Sequence, residues 1–128
     1  MRFTKPRLDC REFAHRGSVL LTMAAQVKNI YASPADLSSG EIITRLWGNS
    51  STRIERIVSH SHQSPPGFWY DQDEDEWVMV LSGSAELEFV GDEVVSLKEG
   101  DYLLIPRHVR HRVARTDTET VWLAVHVK

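Results

Sequence analysis

The 128 residues contain one cysteine, Cys10. It cannot close an internal disulfide, and zinc sites built from paired cysteines are excluded, so nothing calls for an oxidising compartment. Long apolar runs are missing too. The longest mainly apolar stretch of the N-terminal part, Ser18 to Val27, is interrupted by Thr22 and Gln26 and has about half the length of a membrane span. No glycine-rich loop follows a strand to cradle phosphate, no nucleophile elbow occurs, and there is no helical His-Glu zinc motif. An alternating strand and helix rhythm is absent as well. The expectation is a cytoplasmic protein that neither crosses a membrane nor carries a nucleotide fold.

Positive charge is scarce outside the N-terminus. Residues 1–22 hold Arg2, Lys5, Arg7, Arg11 and Arg16 against Asp9 and Glu12, a balance of +3, while the whole chain carries −3 and the remainder therefore −6. That remainder repels nucleic acid and anionic membrane over most of its surface. With 41% apolar residues the chain has material for one core and one domain. Residues 1–22 read as an ill-packed extension or a misassigned start, and 23–128 as a single domain beginning at Met23.

Two local patterns follow Met23. Ser33-Pro34 reads as a helix cap followed by proline at the first helical position, with Asp36 in the first turn and Leu37 as an anchor. Beyond Gly40, the residues Ile42, Ile43, Leu46 and Trp47 form a second brief apolar patch. Both read as short helical pieces lying across an open face or end of a sheet.

From Arg53 the apolar period becomes two. Ile54, Arg56 and Val58 share one face and Glu55, Ile57 and Ser59 the other. Trp77 to Leu81, the turn Ser82-Gly83-Ser84 and Ala85 to Val90 form a hairpin. Val94 to Leu97, Tyr102 to Ile105, His111 to Ala114 and Val121 to Val127 complete about seven short strands punctuated by Gly, Asp and Pro, the pattern of an antiparallel sandwich or barrel. The strand up to Leu81 is apolar on both faces, and Val121 to Val125 is rich in apolar residues. A second surface, either the protein's own helices or another copy of the chain, must cover the outer side, and a homodimer is the expected solution.

Chemistry enters at the mouth of that barrel. Glu76 shares a strand face with Val78 and Val80, and His111 shares one with Val113, so the carboxylate and the imidazole can converge if both faces point inward. Oxygen and nitrogen donors together suit manganese, iron, nickel or zinc. The acidic run Asp71 to Glu76, interrupted by Gln72, attracts a divalent cation and disfavours polyanionic substrates unless Arg107 and Arg110 offset it.

Two motifs resemble those of the cupin superfamily, the small double-stranded β-helix barrels. Glu76 precedes Gly83 by the spacing of the first cupin motif, with EWVMVLSG between, and Gly100, Pro106 and His111 fit the second. His108 stands where the family has a turn glycine, and Arg115 where it has an asparagine. The resemblance covers roughly residues 50–128 and extends to one-domain cupins carrying an SPPGFWYDQ segment. It implies an all-β, jelly-roll-like barrel, here with short N-terminal helices.

In the family pattern paired histidines lie four to seven residues before the glutamate, which here means Tyr70 and Gln72. His60 and His62 lie farther upstream. Either the connection between paired ligands and glutamate is longer in this chain, or Gln72 takes one place and His62 reaches in from a neighbouring turn. The set implied is His62, Gln72, Glu76 and His111 around one divalent transition ion (Mn, Fe, Ni or Zn), with His60 or Tyr70 behind them. Tyr70 or His108 would position a substrate or move a proton. Phe68, Trp69 and Tyr70 read as pocket wall or core plug. His15 and His126 belong to no motif and read as structural. Function divides between a metal-dependent enzyme acting on a small molecule, a dioxygenase or an isomerase, and a non-catalytic barrel that binds or senses a small ligand.

Overall fold

The computed structural model describes residues 25–32 and 40–128. The cap expected at Ser33-Pro34 and the extension 1–22 lie outside the described residues. Among the described residues eight strands follow one another: β1 (Glu41–Gly48), β2 (Thr52–Ser59), β3 (Asp75–Ser82), β4 (Ser84–Phe89), β5 (Glu93–Lys98), β6 (Tyr102–Ile105), β7 (His111–Thr116) and β8 (Thr120–Val127). They form a five-stranded sheet in the order β1-β2-β8-β3-β6 and a three-stranded sheet in the order β5-β4-β7, with every pairing antiparallel. This is the two-sheet jelly roll of the double-stranded β-helix.

One expectation is corrected. Ile42, Ile43, Leu46 and Trp47 are not helical: they belong to β1, which pairs with β2 and widens the larger sheet. The register slips between Arg45 and Trp47, where a bulge breaks the two-residue period.

The core forms between the sheets because each strand turns alternate apolar residues inward. Val78, Val80, Ala85, Leu87, Leu97, Ile105, Trp122 and Ala124 make one buried cluster. Each fully buried Val or Leu there contributes about 1.5–3 kcal/mol. Trp122, inward and buried, satisfies its indole N–H by donating to Ser59 Oγ at 3.2 Å. On the outer face of β2 the buried Arg56 guanidinium donates to the carbonyls of Ile30 and Ala32 at 3.2 and 2.7 Å, which ties the stretch 25–32 to the sheet.

Candidate functional site

Between the sheets lies a cavity of about 230 Å³. Its floor is aliphatic, with Ile43, Ile57, Val78, Leu87 and Val113, and its polar groups gather at one end. Register explains the gathering. Arg53 of β2, His126 of β8, Glu76 of β3 and Ile105 of β6 are cross-strand partners in one row, so their side chains emerge on the same inner face.

The long connection from β2 to β3 closes the other side. Tyr70 and His111 exchange two backbone hydrogen bonds, Tyr70 N–H to His111 O at 2.7 Å and His111 N–H to Tyr70 O at 3.1 Å. The His108 N–H donates to Gln72 O at 2.8 Å. The segment is thereby held against the start of β7, which brings Tyr70 and Gln72 into the cavity wall beside Glu76 and His111. The Tyr70 ring stacks on the His111 imidazole, centroids 5.4 Å apart and planes 25° from parallel.

Glu76 and His111 do converge. The two are buried, and His111 Nε2 stands 3.5 Å from Glu76 Oε2. His111 Nδ1 lies 2.9 Å from the Val109 carbonyl, which can only accept, so Nδ1 carries a proton and Nε2 faces the carboxylate. Burial works against a charged imidazole, but Glu76 and the Val109 carbonyl together outweigh it and raise the His111 pKa. Glu76 Oε2 and Gln72 Oε1 are both buried without a hydrogen-bond partner.

His62 and His108 lie elsewhere. His62 does not line the cavity; its Nε2 is 2.9 Å from Oε2 of Glu41, and it is Glu41 that does. His108 sits outside, its imidazole Nδ1 2.8 Å from Asp71 and Nε2 3.4 Å from Asp73. It adopts the left-handed backbone, φ +62°, that the turn glycine of the family pattern would supply. His60 is not among the cavity residues; its Nε2 is buried without a hydrogen-bond partner.

Several cavity groups were not visible in the sequence. His126, expected to be merely structural, is buried in the cavity wall between two carboxylates, 3.4 Å from Glu55 and 3.3 Å from Glu74. Arg53 pairs with both of those carboxylates, at 2.7 Å from Glu74. Glu41 has its pKa raised by burial, against the pull of His62 and with a further push from Glu76. Burial, and then the same two glutamates, raise that of Tyr70. Alternation in β8, with Thr120, Trp122, Ala124 and His126 on one face, was the available signal for His126.

Two donors on one first-row ion, each about 2.1 Å from it at a tetrahedral angle, stand roughly 3.4 Å apart. The spacing of Glu76 and His111 fits, the Nδ1 contact to a backbone carbonyl is the orientation metal-bound histidines adopt, and Gln72, also in the cavity wall, has a buried oxygen without a hydrogen-bond partner. No three residues of the His, Cys, Asp and Glu types are gathered for a metal among the described residues.

Comparison with known proteins agrees with the fold. The chain is 47% identical, with a TM-score of 0.76, to a solved structure from Ralstonia eutropha provisionally named a mannose-6-phosphate isomerase, covering 81% of this chain and 99% of that one. A cupin superfamily protein from Desulfitobacterium hafniense shares the fold at 15% identity, with a TM-score of 0.66 over 81% of this chain and 91% of that one. A 3-hydroxyanthranilate 3,4-dioxygenase of Paraburkholderia phytofirmans is 31% identical over 84 residues, 63% of this chain, and the match spans 47% of the dioxygenase. The family model described as "Cupin domain" matches residues 56–126, more than half of the chain, and this protein belongs to the cupin family.

Proposed function

We propose that the chain is a cupin enzyme acting on a small organic molecule, with Gln72, Glu76 and His111 holding one divalent transition ion at the cavity wall. The observation that carries this reading is the buried Glu76 Oε2, without a hydrogen bond and 3.5 Å from an imidazole whose other nitrogen is committed to Val109, with a second buried, unpartnered oxygen on Gln72 in the same cavity wall. Imidazole, carboxylate and amide oxygen suit Mn, Fe, Ni or Zn, and such an ion supplies Lewis acidity or a redox centre when bound. The protein's own contributions are distinct. Tyr70 fixes the plane of the His111 ring by stacking on it, the aliphatic floor excludes water from the ligand, and Glu41 presents a second carboxyl to the same space.

The similarities to a dioxygenase and to a provisionally named isomerase support an enzyme of one of those reaction classes. A sugar phosphate is not supported as substrate. The one guanidinium lining the cavity among the described residues, Arg53, is already held by Glu55 and Glu74.

Elemental analysis of protein purified without added metal or a histidine tag tests the reading. About one transition ion per chain is expected, lost in the double variant Glu76→Ala, His111→Ala with strand content retained. Protein that purifies empty and stays empty on titration with Mn²⁺, Fe²⁺, Ni²⁺ and Zn²⁺ supports the second reading, a non-catalytic ligand-binding barrel. The lack of a three-member His, Cys, Asp and Glu cluster among the described residues favours that alternative.

A further inference from the structure

We propose that the Ser59 hydroxyl is the specificity-determining hydrogen-bond donor of the cavity, and that the molecule bound there offers it an acceptor oxygen of the carbonyl class on a compact apolar body. The inference rests on the cavity taking a small organic molecule, and it deepens that reading by naming a group the molecule carries.

Strand β2 sets the place of this hydroxyl. Arg53, Glu55, Ile57 and Ser59 alternate onto its inner face, and all four line the cavity. Arg53 shares a row with His126 and Glu76, whereas Ser59 ends the strand in the row of Glu41 and Thr120. Ser59 is therefore set apart along the strand from the row of Glu76, and the role argued for it needs no ion there.

Trp122 fixes what the hydroxyl can do. An indole N–H only donates, so Ser59 Oγ is the acceptor in their 3.2 Å contact. A serine hydroxyl has one proton of its own, and accepting from the indole leaves that proton unspent. Among the described residues it goes to no acceptor. Thr120, the β8 partner of Ser59, differs: its Oγ1 accepts from the Asp117 N–H at 3.2 Å and donates to the Ser84 carbonyl at 2.8 Å. Ser59 is buried and lines the cavity, so the cavity is where its proton finds an acceptor. Beside it on the inner face stand Ile57 and the Trp122 ring, which are apolar, and a volume of about 230 Å³ takes a single ring with a short substituent. A donor in such a wall favours a ligand with an acceptor over an isostere without one, because the isostere leaves the hydroxyl unpaired.

Acetophenone and α-methylstyrene, which carry a carbonyl and a methylidene group on the same skeleton, are the probes. In calorimetric titrations of the as-purified protein, Ser59→Ala should weaken acetophenone about tenfold and leave α-methylstyrene within about twofold. The infrared carbonyl band of bound acetophenone should lie below its position in hexane for wild type and return toward that position in Ser59→Ala. A serine that serves only to satisfy Trp122 predicts otherwise. Equal losses for the two probes, an unchanged affinity for acetophenone, or a band that Ser59→Ala does not move would each overturn the proposal. Should Ser59→Ala not fold, the double variant Ser59→Ala, Trp122→Phe, which leaves no indole N–H to satisfy, carries the same comparison. A wild-type band at the hexane position overturns the proposal by itself. Metal content measured on the same samples keeps the two readings apart. Probes bound equally well with and without the Ser59 hydroxyl overturn only the role of Ser59. Neither probe bound overturns it together with the organic ligand, and a stoichiometric ion in that protein leaves the metal centre standing.

Discussion

Glu76 and His111, from strands in different sheets, meet with Oε2 and Nε2 3.5 Å apart while the far side of the imidazole is fixed by the Val109 carbonyl. Removing the charge of Glu76 while keeping its shape isolates its role. Glu76→Gln should weaken Mn²⁺ or Zn²⁺ uptake at least tenfold, measured by competition with a chromogenic chelator, with the far-UV circular dichroism unchanged. Uptake equal to wild type would remove Glu76 from the site.

Gly83 joins β3 to β4 at φ +82°, and a Cβ there would stand 2.4 Å from the Glu119 carbonyl and 2.9 Å from Thr120 Oγ1. Gly91 also has a positive φ, +103°, but a Cβ would meet nothing. Gly83→Ala should therefore cost about 3 kcal/mol in urea unfolding and Gly91→Ala only about 1 kcal/mol. Equal costs would mean that backbone conformation, not the contact with Glu119, makes glycine necessary at 83.

The His108 pKa is raised, chiefly by its hydrogen bond to Asp71 and further by Asp73. A folded pKa above the unfolded value means that this contact stabilises fully below the unfolded value, about 6.5, and fades as pH rises through the folded midpoint. Asp71→Asn should lower the His108 midpoint in an NMR titration of its ring protons. A midpoint that does not move would show that the pair does not persist in solution.

The outer face of the larger sheet carries an apolar row, Leu104, Trp77, Val125, Ile54 and Trp47, which are register partners on all five strands. Leu104 and Trp47 are 57% and 54% exposed, and neighbouring Tyr102 65%. A second copy of the chain, docked about a twofold axis, is the expected cover. Sedimentation at several micromolar should give two chains, and Met79→Glu, on this face, should give one. A charge at Trp122 would not test the contact, because that side chain points into the core. A wild-type mass of one chain at all concentrations would exclude the dimer.

The strands from β2 onward were legible because alternation and turn residues agree along them. β1 was not. Its apolar residues at 42, 43, 46 and 47 imitate helical spacing, and the bulge between Arg45 and Trp47 removes the alternation that would mark a strand. In the site, Glu76 and His111 could be read from period and motif spacing alone. Glu41 could not, and His126 only as an inward position in the alternation of β8, since what brings both to the cavity is the β1-β2-β8-β3 order, which local sequence does not encode. The place of His62 hangs on one left-handed residue, Ser61, and no composition rule announces it.

The position of β8 bears on how the chain is made. It is the last strand in sequence, yet it lies in the middle of the larger sheet, joining β2 on one side to β3 on the other. During translation β1 and β2 can pair as soon as they leave the ribosome, and so can β3 with β6, but the strand that joins their edges within the sheet is missing until residues 120–127 emerge. The nascent chain must therefore keep two half-sheets with open inner edges apart until β8 emerges, a state prone to mispairing and to capture by chaperones. Closure of the barrel, and with it assembly of the cavity, waits for β8 and is dominated by contacts distant in sequence.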